Sequence, residues 1–137
     1  AGPLADAAGR IVAACRAGGA VFAFGNGGSA ADAQHIACEL VGRFLVDRPA
    51  IPAEALTTDS ATMTSVANDF GFEAIFARQI EGKARPGDVA IGLSTSGNSS
   101  NVVKALEKAR QMGLTTIAIT GAGGGSKLHI CWMIELK

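Results

Sequence analysis

Ala20-Val21-Phe22-Ala23-Phe24, followed by Gly25-Asn26-Gly27-Gly28-Ser29, is the stretch that decides the fold. The five apolar residues read as a buried strand, and the glycines after them as a tight turn into a helix. Such a turn brings free backbone N–H groups and the positive end of a helix dipole to one point, which makes an anion site. On the helix that follows, His35 and Glu39 stand four residues apart and share a face. An anion cradle and an imidazole–carboxylate pair on one element point to chemistry on a phosphorylated small molecule.

Outward from this stretch, strands and helices alternate. Residues 3–16 carry Leu4, Ala7, Ile11, Val12 and Cys15 at helical spacing, with Gly18-Gly19 as the stop. Ser29 is expected to cap a helix reaching about residue 44, before Pro49 and Pro52 break the chain. A short strand is expected over 53–56, a loop and helix over 57–67, and a helix over 75–83. A turn follows at Arg85-Pro86-Gly87-Asp88. Residues 89–93 and 115–120 read as buried strands, with an amphipathic helix over 101–112 between them. Residues 128–137 are expected to be helical, and their Trp132, Met133 and Ile134 too apolar to lie free in water. The alternation predicts a single α/β domain over 1–137, a three-layer αβα sandwich in which helices cover both faces of a parallel sheet. Ligands bind such sheets beyond the carboxyl ends of the strands, where the loops after Phe24 and Leu93 both fall. Gly123-Gly124-Gly125-Ser126 runs straight into Lys127-Leu128-His129. A final strand with its crossover is therefore expected to be lacking, with a segment missing between Ser126 and Leu128.

Composition narrows the function. The chain has 137 residues, 48% hydrophobic and 18% charged, so one real core is expected rather than disorder. Twelve basic and twelve acidic side chains cancel and aromatics are 5%, which gives no support to a nucleic-acid surface. No apolar run has the length of a membrane span. Cys15, Cys38 and Cys131 are odd in number and lack C-x-x-C spacing, which fits small core residues in a reduced, cytoplasmic setting.

Each motif has a competing explanation. Gly25-Asn26-Gly27-Gly28-Ser29-Ala30 also fits a dinucleotide fingerprint, but Glu54 and Asp59 come too late to serve the ribose. Ser94-Thr95-Ser96-Gly97-Asn98-Ser99 brings four hydroxyls to a helix start and suits phosphate oxygens; the alternative is a solvated cap. His35 and Glu39 suit Zn²⁺ if further ligands come from elsewhere, His129 being the other histidine. The bland reading of the pair is a surface i,i+4 contact.

Taken together, these blocks resemble the SIS superfamily of phosphosugar isomerases, and within it the phosphoheptose isomerase family. The resemblance is carried by the glycine loop, Asp32-Ala33-Gln34-His35, Glu39-Leu40-Val41-Gly42-Arg43, Arg48-Pro49, Ala67-Asn68-Asp69-Phe70-Gly71, Phe76-Ala77-Arg78, Gly87-Asp88 and the serine loop. It implies a flavodoxin-like sandwich that assembles as a tetramer with active sites between subunits, bound Zn²⁺, and conversion of sedoheptulose 7-phosphate to D-glycero-D-manno-heptose 7-phosphate. That reaction would open the supply of activated heptose for lipopolysaccharide or capsule. By matching position, Ser94, Thr95, Ser96 and Ser99 resemble the phosphate cradle. Asn26, Gly27, Gly28, Ser29, Asn68 and Asp69 resemble other substrate contacts. His35, Glu39 and His129 resemble metal ligands, with Glu39 the base and His129 the second acid/base. The family's C-terminal glutamine ligand has no counterpart, and its long N-terminal helix is cut short. The rival within the superfamily is a non-catalytic protein, an adaptor on the replication initiator or a sugar-phosphate sensor.

Overall fold

The computed structural model describes residues 2–121 and 132–136. In chain order they form α1 (Pro3–Arg16), β1 (Val21–Gly25), α2 (Gly28–Val41), β2 (Ala53–Ala55), α3 (Ser60–Phe70), a 3₁₀ turn (Phe72–Ala74), α4 (Ile75–Lys83), β3 (Val89–Ser94), α5 (Ser100–Gln111), β4 (Thr115–Gly121) and β5 (Trp132–Leu136). The sheet order is β2-β1-β3-β4-β5, with every pairing parallel. This is the doubly wound order whose switch point lies between β1 and β3.

Alternation along β1 separates the two helical layers. Phe22 and Phe24 enter a core with Val66, Phe76, Ile80, Val102 and Leu106, so α3, α4 and α5 cover one face. Phe24 and Phe76 meet there with ring centroids 5.4 Å apart. Val21 and Ala23 face the other way, against Ala7, Ala33 and Ala37 of α1 and α2. The small residues on those two helices let them settle close to the sheet. The expected three-layer sandwich is therefore the fold.

At the edge where the strands begin, Asp88 ties the turn down. Its carboxylate accepts from the backbone N–H of Ala20 and of Arg85, each at 2.8 Å. Gly87-Asp88 thus stands at the opposite edge of the sheet from the two polar loops and has a structural role.

Three expectations are corrected. Ser29 does not cap α2: Gly27 does, at φ +57, a conformation open to glycine, and Ser29 lies inside the first turn. The helix ends at Val41 rather than near 44, because Phe44 and Val46 bridge antiparallel around Leu45 at φ +63. The segment expected to be a C-terminal helix supplies β5 over Trp132–Leu136, parallel to β4. The sheet therefore has five strands among the described residues. A short apolar run does not distinguish helix from strand by periodicity, and the open edge of β4 selects the strand. Gly123 to Ser126 and the proposed junction before Leu128 lie outside the described residues.

Candidate functional site

Three helices, α2, α3 and α5, start just beyond the carboxyl ends of β1, β2 and β3. A helix start leaves its first N–H groups without intrahelical partners. At α3 the chain satisfies one of them itself, since the N-cap Asp59 carboxylate accepts from the Thr62 N–H at 3.0 Å and from the Thr62 hydroxyl at 2.6 Å. These hydrogen bonds, the side-chain one first, hold the Asp59 carboxyl below the ordinary carboxylate range. At α2 and α5 no side chain caps the N-terminus. Both starts border the β1/β3 switch point, so two unneutralised helix dipoles end at one crevice.

The serine loop at α5 is organised around one buried hydroxyl. Ser94 is 3% exposed; its Oγ donates to Ser99 Oγ at 3.0 Å and accepts from Gly97 N–H at 3.1 Å. Gly97 takes φ +70 to close the turn. Ser94 therefore shapes the cradle from beneath. Thr95 and Ser96 are exposed, and Ser99, whose hydroxyl accepts from Ser94, is half-buried; these three residues line the rim.

The glycine loop packs tightly beside it. A Cβ on Gly25 would stand 2.7 Å from the Leu93 carbonyl, so only glycine lets β1 end this close to β3. Asn26 then reaches across to the first turn of α5. Its Nδ2 donates to Asn101 Oδ1 at 2.8 Å, and Asn101 Nδ2 donates back to Asn26 Oδ1 at 2.9 Å.

On α2, one strip runs Ser29, Asp32, Ile36 and Glu39, with His35 beside it. Ser29 and Asp32 line a cleft of about 240 Å³ with Leu93, Ser94, Thr95 and Thr120. One turn further on, His35, Ile36 and Glu39 line a second cleft of about 350 Å³ with Leu40, Phe44 and Arg48. His35 Nε2 and Glu39 Oε1 are 3.4 Å apart, with the imidazole 73% exposed and the carboxylate 30%. The end of α2 is held by Arg48, whose guanidinium donates to the carbonyls of Glu39 at 2.6 Å and Leu40 at 2.9 Å.

The predicted residues are thus brought together unevenly. Asn26, Gly27, Gly28, Ser29, Ser94, Thr95, Ser96 and Ser99 gather at the switch point, with His35 and Glu39 further along α2. Asn68 and Asp69 stand apart on the exposed last turn of α3, where Asn68 Nδ2 donates to Asp69 Oδ1 at 3.0 Å. Among the described residues no hydrogen bond joins them to either loop. His129 lies outside the described residues. As a zinc site, His35 and Glu39 offer two donors of suitable chemistry, nitrogen and oxygen on one face. No third His, Cys, Asp or Glu completes a cluster among the described residues.

Sequence reasoning passed over Asn101 and Arg48 as site residues. Asn101 carried a signal, since it sits on the same stripe of α5 as buried Ala105 and Ala109. An amide on an apolar stripe needs a partner. Arg48 carried none beyond its place before Pro49.

The family model described as SIS domain matches residues 1–121. The phosphoheptose isomerase of Rhodospirillum rubrum is 56% identical over 128 residues, 93% of this chain and 68% of the relative. That of Aquifex aeolicus is 58% identical over 127 residues, 93% of this chain and 66% of the relative. Among solved structures, a phosphoheptose isomerase from Francisella tularensis superposes with a TM-score of 0.90 at 38% identity, covering 97% of this chain and 71% of that one. The chain spans about two thirds of the length of the curated relatives it matches.

Proposed function

This chain belongs to the SIS domain family, among its phosphoheptose isomerases, and from that premise we propose that it converts sedoheptulose 7-phosphate to D-glycero-D-manno-heptose 7-phosphate. The observation that carries the reading is the open start of α5, rimmed by Thr95, Ser96 and Ser99 and adjoining α2 with its His35–Glu39 pair. The uncapped N–H groups and hydroxyls bind the phosphate without a cation, and so leave cation chemistry to the other end of the substrate.

The reaction moves one proton between adjacent carbons. Glu39 removes a proton from C1 of the ketose. The electron pair of the broken C–H bond forms the C1–C2 double bond of an enediolate, and the C2 carbonyl oxygen takes the charge. A proton returns to C2, and the C1 hydroxyl proton passes to the C2 oxygen, leaving the C1 aldehyde and a C2 hydroxyl. His129 serves the oxygens as second acid/base. Phosphate binding at a distance from C1 and C2 supplies orientation. His35, Glu39 and His129 would hold Zn²⁺, which when bound supplies positive charge for the developing oxyanion.

The active form is proposed to be a cytoplasmic homotetramer in which Asn68 and Asp69 reach the substrate across a subunit boundary. Phe44, Leu45 and Val46 support an assembly, since this apolar tip is 62%, 88% and 68% exposed in the single chain and borders the Glu39 cleft. The reaction would be the first step of activated-heptose synthesis for lipopolysaccharide or capsule.

Incubation with sedoheptulose 7-phosphate, followed by identification of the product, tests the reading. Formation of the aldoheptose phosphate is the expected result. Stoichiometric zinc in the purified protein should accompany it. Binding of the sugar phosphate with neither turnover nor zinc would leave the non-catalytic sensor in its place.

A further inference from the structure

We infer that Asn101 is a positioning residue that presents Asn26 to the substrate and locks the glycine loop to the phosphate cradle. This rests on the isomerase reading for the nature of the ligand, and adds a residue to it. The two residues are 75 apart in sequence; Asn26 lies in the loop after β1 and Asn101 in the first turn of α5 after β3, on the two sides of the β1/β3 switch point. Their amides form a closed ring, each donating one hydrogen bond and accepting one, at 2.8 and 2.9 Å. A carboxamide has two N–H donors and two acceptor lone pairs. The ring uses one of each, so half-exposed Asn26 keeps one N–H and one lone pair for a ligand.

Asn101 itself is 2% exposed and so has no reach to a ligand in the crevice. Its place in the first turn of α5 ties it to the helix whose open N-terminus faces the serine loop. Removing it frees Asn26 to rotate its amide and exchange donor for acceptor at the crevice. It also releases a side-chain link between the loop after β1 and the first turn of α5, which follows β3. The effect should fall on ligands that span both loops, such as a sugar phosphate. Inorganic phosphate, which needs the serine loop alone, should feel little of it.

A double-mutant cycle on the full chain tests this, with Asn26→Ala, Asn101→Ala and the double variant titrated calorimetrically against sedoheptulose 7-phosphate and separately against inorganic phosphate. Each single variant should weaken sugar-phosphate binding by about tenfold, as two ordinary hydrogen bonds and an orientation are lost. The double variant should be no weaker than Asn26→Ala, because Asn101 acts through Asn26. Inorganic phosphate affinity should change less than about twofold in all three. Additive losses, or an equal loss for inorganic phosphate, would overturn the inference and make Asn101 an ordinary part of the α5 packing. Should Asn101→Ala fail to fold, Asn101→Asp keeps the volume and one acceptor but loses the donor. It should reproduce the selective loss, and parental affinity for the sugar phosphate would overturn the inference. Parent protein that binds the sugar phosphate without turning it over breaks the isomerase reading and leaves this test intact.

Discussion

The starts of α3 and α5 lie along the same edge of the sheet and are built in opposite ways. The α3 start is closed: Asp59 supplies a carboxylate to the orphan N–H of Thr62, and the dipole is answered from within the chain. The α5 start is open: Ser99 occupies the cap without a side-chain bond to the helix, and its hydroxyl is turned toward Ser94. The closed end contributes stability. The open end forgoes that stabilisation and keeps its donors for an external anion. A helix N-terminus therefore becomes a site where the sequence withholds the cap. The hydroxyls around it decide which anion fits.

The largest effect expected bears on what the open end serves. If phosphate binding only orients the substrate for α2, Glu39→Gln should lower turnover by ~10²–10⁴-fold while sugar-phosphate affinity changes much less. Solvent-deuterium exchange into C1 should vanish with it. Exchange at the parental rate would show that the base lies elsewhere, with His129 next.

Closing the open end should come second. Ser99→Asp installs at α5 the carboxylate that α3 already has. It should raise the thermal midpoint and weaken phosphate binding by roughly 100-fold, through like-charge repulsion and loss of the free N–H donors. Unchanged phosphate affinity by calorimetry would break the comparison outright. Ser96→Ala removes one exposed hydroxyl from the rim and should cost about tenfold in phosphate affinity, with the fold intact by circular dichroism.

The smallest effect lies at the closed end. Asp59→Ala should lower the thermal midpoint by roughly 2–5 °C and create no phosphate site, because no hydroxyl loop surrounds α3. The Asp59 carboxyl is held below its ordinary value of 3.8 by Thr62, so its contribution is present above that value and is lost as the pH falls through the lower, folded-state one. A thermal-midpoint profile of Asp59→Asn should accordingly lie below the parent's at neutral pH and converge on it in acid. Parallel profiles would remove the carboxylate from the explanation.

Much of this was legible in the residues alone. The runs at 20–24, 89–93 and 115–120 announced β1, β3 and β4, because a strand covered on both faces has no polar alternation to obscure it. The helices at 3–16 and 75–83 followed from spacing and stops. The serine loop and the His35–Glu39 pair were visible because a glycine turn and an i,i+4 spacing are local geometry. Gly27 rather than Ser29 as the cap of α2 was less visible, since either residue type serves and the turn's φ decides. The strand at Trp132–Leu136 required a partner edge that no local pattern reveals.

Local sequence thus determined which segments are strands and helices, and which loops carry anion-binding chemistry, since period, caps and turn residues act within a few positions. Only the tertiary structure decided that Asn26 meets Asn101, that Ser94 turns inward while Ser96 faces out, and that Arg48 clamps the carbonyl of Glu39. Those contacts depend on β1 lying beside β3 in the sheet and on the chain folding back after α2. Both are set by the packing of two cores at once rather than by any one stretch of residues.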